Sequence, residues 1–215
     1  MKFLEKLMEV IVEEGVQTPK AQVERYLSPN LGLFLEEILK KSFRKEYQMI
    51  VPEFPIRDGM IHENGTNQST NIDYLMFNKT DSKFVFIELK TDSKSFKLSQ
   101  FDIYQELQAL CKNSHEIFGK QLFESLEKIK KHSISKTKYQ YLIDKLNVIP
   151  SLETINDMEI IYIVPAKTEL KKLKEIKESK KVPHVLYFND LPAQLSFFSE
   201  EWKIILEYLK KLDDN

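Results

Sequence analysis

The sequence predicts an α/β protein with a mixed central β-sheet flanked by helices. Three observations carry that prediction. Two runs with strand periodicity, NIDYLMFN and KFVFIELKTD, are separated only by turn residues around Lys79 to Ser82, which makes a hairpin. A long stretch of helical spacing follows, with Ile103, Leu107, Leu110, Leu122, Leu126 and Ile129 supplying its apolar face. Beyond it MEIIYIVPA reads as a buried strand, and a helix between strands is what a crossover in a mixed sheet requires.

The elements follow in order. MKFLEKLMEVIVEE is an amphipathic helix whose acids, Glu5, Glu9, Glu13 and Glu14, interrupt the apolar centre that a signal peptide needs. A second helix is expected to open at Ser28-Pro29, serine as N-cap and proline at the first helical position, and to continue through NLGLFLEEILKKSF. YQMIVPEFPI is the first strand, and Pro52 and Pro55 imply an edge or a bulge. HENGTNQST supplies a polar turn before the hairpin. Ser99 caps the long helix, which runs to Lys131 with a kink near Gly119. The segment from His132 to Pro150, including YQYLIDKL, is the hardest to place and reads as part of a helical insertion at about 112–150. LKKLKEIKESKK is a lysine-rich helix, PHVLYFNDL another strand and EEWKIILEYLKKL the closing helix. At 215 residues, the chain fits one domain with a sizeable core.

Composition bounds the function. No apolar run approaches the roughly 20 residues that cross a bilayer, so a soluble protein with no membrane partner is expected. Cys111 is the single cysteine, which excludes an internal disulfide framework and suits a reducing cytoplasm. Net charge is only -1, but residues 79–181 hold 20 basic against 15 acidic side chains, while both flanks are acidic. A local positive surface can meet phosphates while the remainder keeps the chain soluble, although a solvated lysine-rich helix face explains such an excess more often. Only Arg25, Arg44 and Arg57 are arginines, which favours phosphate contacts over rich base readout. Five glycines form no phosphate-cradling loop, and four scattered histidines with one cysteine form no zinc pattern.

The chemistry concentrates in Glu88-Leu89-Lys90. Glu-x-Lys recurs at Glu169, Glu175, Glu178 and Glu201, but those copies sit in helical segments, where a solvated charged face explains them. The copy at Glu88 ends a strand, and the preceding strand carries an isolated acid, Asp73, within the run Ile72 to Phe77. In a hairpin these two carboxylates can converge, and a hard divalent cation takes one or two protein carboxylates together with several waters. Lys90 beside such an ion can position an attacking water, help to deprotonate it or neutralise transition-state charge. Positioning and stabilisation are the stronger assignments, because acting as a base requires its pKa to fall far below about 10.4.

Asp73 in NIDY and Glu88-Leu89-Lys90 in IELKTD, within an order of helix, hairpin, helix and strand, resemble the PD-(D/E)xK nuclease superfamily. Ile72 stands where the family name has proline. Gln100 and Tyr104, four apart after the lysine, resemble the Gln-x-x-x-Tyr element of RecB-type exonucleases. The resemblance implies a restriction-endonuclease-like core, Mg2+ as cofactor with Mn2+ as a substitute, and in-line hydrolysis of phosphodiester bonds in nucleic acid, DNA for preference. Asp73 and Glu88 would hold the metal, joined by the Leu89 backbone oxygen and by Glu36 from FLEEILKK, with Glu37 the close second choice. Lys90 would assist the water, Gln100 and Tyr104 would place the substrate, and Lys94 and Lys97 would guide its backbone.

Two other classes stay open at this level: a nuclease-fold protein that binds nucleic acid or a protein partner without cutting, and a scaffold in which the charged trio forms a buried ion network. The oligomeric state is also open, a homodimer included.

Overall fold

The computed structural model of the chain describes residues 2–17, 23–61, 68–92, 98–113, 116–165 and 184–212. Five strands form one sheet in the order β1-β2-β3-β4-β5: β1 Tyr47–Arg57, β2 Ser69–Asn78, β3 Lys83–Leu89, β4 Met158–Val164 and β5 His184–Tyr187. The pairs β1–β2 and β2–β3 are antiparallel and β4–β5 is parallel, so the sheet is mixed as expected. The β1 prolines are explained by an edge position, and the ladder with β2 shifts register between Met49 and Val51. In β3 every residue from Phe84 onward is buried, the near-continuous apolar pattern of a strand covered on both faces.

Helices α1 Phe3–Glu9, α2 Val23–Gly32, α3 Leu35–Phe43, α4 Leu98–Asn113, α5 Phe118–His132, α6 Lys136–Asn147 and α7 Ser199–Lys211 flank the sheet. Three differ from the sequence expectation. The first helix passes at Val10–Glu14 into a π-helical turn, so it is not one regular α-helix. The second does not open at Ser28-Pro29: α2 begins by Val23 and carries Pro29 in its interior. Proline there forfeits one intrahelical bond, but burial of Val23, Leu27 and Leu31 along one face holds the helix together, and α3 starts afresh after Phe34. The long helix is two, α4 and α5, broken between Asn113 and Phe118 rather than kinked, and α4 already includes Leu98, so Ser99 is not its cap.

The chain clusters into two compact units, one of Met1–Glu46, Glu88–Lys97 and Ile161–Asn215, the other of Tyr47–Ile87 and Leu98–Ile160. In the second, Phe84 and Phe86 meet the Phe118 ring edge-on and tilted, with centroids 5.9 and 6.5 Å away. In the first, Trp202 of α7 is fully buried, packs on Phe34 at 5.2 Å and donates its indole N–H to the Pro192 carbonyl at 2.7 Å. The lysine-rich segment LKKLKEIKESKK lies outside the described residues. The strand expected from PHVLYFNDL is limited to four residues, because Phe188–Asp190 turns into a short 3-10 helix.

Candidate active site

A strand buried on both faces offers its polar side chains no water. Glu88 and Lys90, at and just past the end of β3, pair with each other: Lys90 Nζ donates to Glu88 Oε2 at 2.9 Å, with the Glu88 and Lys90 side chains only 0% and 6% exposed. The Lys90 amide also donates to the Ile163 carbonyl at 2.9 Å, which fixes the backbone from which the ammonium projects. Taking both charges out of water is costly, and a pair of well-packed apolar residues is often at least as stable. Stability alone is thus a weak reason for this pair, whereas buried, coupled charges are a common feature of catalytic sites. Leu89 between them is fully buried, and Thr91 beyond them is buried as well.

Asp73 lies in β2, half-buried among the buried residues Ile72, Tyr74, Leu75, Met76 and Phe77. The antiparallel ladder of β2 and β3 pairs Tyr74 with Ile87. Asp73 immediately precedes Tyr74 in the chain and Glu88 immediately follows Ile87.

The Gln-x-x-x-Tyr residues are brought together directly. Gln100 Nε2 donates to Tyr104 Oη at 2.9 Å across one turn of α4, the geometry that a spacing of four produces. Tyr104 is fully buried, its ring edge-on to Phe86 at 6.4 Å. The phenol is thus locked by packing and hydrogen bonding, and Gln100 is half-buried at the start of the helix.

Of the two adjacent glutamates of α3, Glu36 is exposed and Glu37 has a separate task. Glu37 accepts from the Ser196 amide at 2.7 Å, the Ser196 hydroxyl at 2.8 Å and the Phe197 amide at 3.3 Å, with Lys41 Nζ at 3.3 Å. Partial burial pushes its carboxyl pKa up, but the hydrogen bonds from Ser196, Phe197 and Lys41 outweigh it and bring the value down to about 2. Lys94 and Lys97 lie outside the described residues. The clamp on Ser196 escapes sequence reasoning, because its partner is 159 residues away and no local periodicity marks it.

Comparisons with models of known families, with curated proteins and with solved structures return no match.

Proposed function

We propose that the protein is a metal-dependent nuclease of PD-(D/E)xK type with a restriction-endonuclease-like core, hydrolysing phosphodiester bonds in nucleic acid, DNA in preference to RNA. The observation that carries this reading is the buried Glu88–Lys90 pair at the end of β3, in the strand following the one that bears Asp73. The donor set of Asp73 and Glu88 carboxylates with the Leu89 carbonyl is entirely oxygen, and suits Mg2+ or Mn2+. Among the described residues no cluster of three or more His, Cys, Asp and Glu side chains stands ready for a metal. Two carboxylates are as many as magnesium commonly takes from a protein, with water and substrate filling the remaining positions. Glu36 is the additional carboxylate suggested by the resemblance.

When bound, the ion would stabilise charge on the attacking and leaving oxygens. The chain's own residues do the rest. Lys90 holds a desolvated positive charge, fixed in direction by Glu88, where charge on a phosphoryl group is stabilised more strongly than by an ammonium in water. Gln100, half-buried and held by the fully buried Tyr104, is the member of the pair that would reach phosphate oxygens, with Tyr104 fixing its position. The competing reading is a nuclease-fold module that binds without cutting, and what favours it is that Glu88 already has its ammonium partner at 2.9 Å.

Supercoiled, linear and single-stranded DNA and RNA, incubated with the protein in magnesium, manganese or chelator, separate the two readings. Metal-dependent cutting should fall at least about a hundredfold in Asp73→Ala and in Lys90→Met, since each removes transition-state stabilisation of several kcal/mol. Circular dichroism checks that both variants remain folded, methionine being chosen to refill the space left by lysine. Nucleic-acid binding without cutting by the natural sequence would favour the module, and cutting that survives both substitutions would remove Asp73 and Lys90 from the reaction.

A further inference from the structure

The junction of α5 and α6 separates two open clefts, both built within the unit Tyr47–Ile87 and Leu98–Ile160. One, of about 580 Å3, is lined by Ser133, Ser135, Lys138, Tyr139 and Tyr141 together with Glu53 and Pro55 of the edge strand β1. The other, of about 570 Å3, is lined by Lys128, Lys130, Lys131 and Lys136 together with Phe123, Glu124 and Glu127. Consecutive residues serve the two sides, Ser135 and Thr137 facing one cleft and Lys136 the other. From Phe118 to Asn147 the chain has seven lysines against three acids, a local net charge of +4 in a molecule whose total is -1. Among the described residues, the exposed Lys128, Lys131, Lys136 and Lys138 have no carboxylate partner, whereas Lys130 is engaged by Glu127 and Gln140. Tyr141 is 54% exposed, with Lys145 Nζ lying 5.4 Å from its ring centroid.

We infer that this junction binds single-stranded nucleic acid, with phosphates on the unpaired lysines and a base stacked in the tyrosine-lined cleft. The charge calls for a polyanion, and aromatic rings interleaved with lysines and hydroxyls are the chemistry that takes an unpaired base beside its phosphates. A duplex keeps its bases stacked on one another, so it can use the lysines but not the tyrosines. An acidic peptide satisfies the lysines equally well but gains little from the ring faces. Glu53 and Asn71, the latter donating to the former at 3.4 Å, add an acceptor on the β1 side against which a base N–H can be read. The surface shares no residue with the candidate active site, so it can fail while the nuclease reading stands, and the reverse.

Fluorescence anisotropy in chelator, with a labelled oligothymidylate, a duplex of equal length and polyglutamate as competitor, tests this without any cleavage. The oligothymidylate should bind more tightly than the duplex. Lys136→Glu combined with Lys138→Glu should weaken it more than tenfold. Tyr141→Ala should weaken the oligothymidylate about five- to tenfold, from the loss of one stacking contact, and leave the duplex almost unchanged. Lys203→Glu, a charge reversal on α7, should leave both unchanged, and thermal melting confirms that each variant folds. Absence of oligothymidylate binding, an equal loss on Lys203→Glu, a Tyr141→Ala variant of undiminished affinity, or displacement by polyglutamate at equal charge concentration would each overturn the proposal.

Discussion

Glu37 and Glu88 show how the same side chain is used in opposite ways. Glu88 sits where water is excluded and pairs with a lysine two residues on. Glu37 sits on a helix surface and gathers the amides of a distant loop, whose Phe198 is held at φ 46, a left-handed conformation rare for a bulky residue. Phe197 and Phe198 remain half-exposed on that loop; Glu37 holds the Phe197 amide, and the Trp202 amide donates to the Phe198 carbonyl at 2.8 Å. Its folded pKa of about 2 lies below the ordinary 4.5, so the unfolded chain binds the proton more readily. The contribution is therefore complete above about pH 4.5 and fades as pH falls towards 2. Urea unfolding of Glu37→Gln should show a loss of about 1 kcal/mol at pH 7, below the usual range for charge-assisted bonds because the carboxylate is partly solvated. The difference between the two proteins should shrink steadily below pH 4, and a difference independent of pH would mean that the carboxylate charge plays no part. Helical phase alone could not separate Glu36 from Glu37. What separates them is a loop joined to the helix only through tertiary folding.

At the scale of elements, the hairpin and the strand β4 were readable because their determinants are local: alternation, a polar turn at Lys79 to Ser82, and an unbroken apolar run. The same locality placed Glu88 at the end of a strand and Gln100 one helical turn from Tyr104. Helix boundaries were the weaker part. The break between α4 and α5 carries no proline, and its trace in the sequence is only a change of phase, Leu110 and Leu122 lying about 120° apart on a single continuous helix. Gly119 suggests a kink in the sequence, but its role is spacing: a Cβ there would collide with the Leu152 carbonyl oxygen, and its own amide donates to the Ile155 carbonyl at 3.0 Å. Helix α5 thus approaches the 152–155 segment at a distance that only glycine allows. Gly119→Ala, which raises helix propensity and would stabilise an ordinary exposed helix position, should here destabilise the protein by about 1–3 kcal/mol through overpacking against the main chain. Chemical denaturation measures the sign, and a gain in stability would show that the segment can move aside.

Over the whole molecule, charge is segregated rather than accumulated. A total of -1 gives a polyanion no general attraction, so any affinity for nucleic acid must come from a local surface and depend on salt through it alone. If Lys128, Lys131, Lys136 and Lys138 each neutralise one phosphate of a single strand, log affinity should fall against log salt with a slope of about -3, close to 0.7 per contact. Between about 50 and 200 mM salt that is a loss of roughly fiftyfold. Converting Lys136 and Lys138 to glutamine removes two contacts without introducing repulsion, and should reduce the slope to about -1.5 while also lowering affinity. Tyr141→Ala, by contrast, should lower affinity with the slope unchanged, because stacking releases no counterion. An unaltered slope in the double glutamine variant would place the phosphates on other lysines of the chain, and a slope near zero in the natural protein would mean that the cationic middle of the sequence is a solvated face and no more.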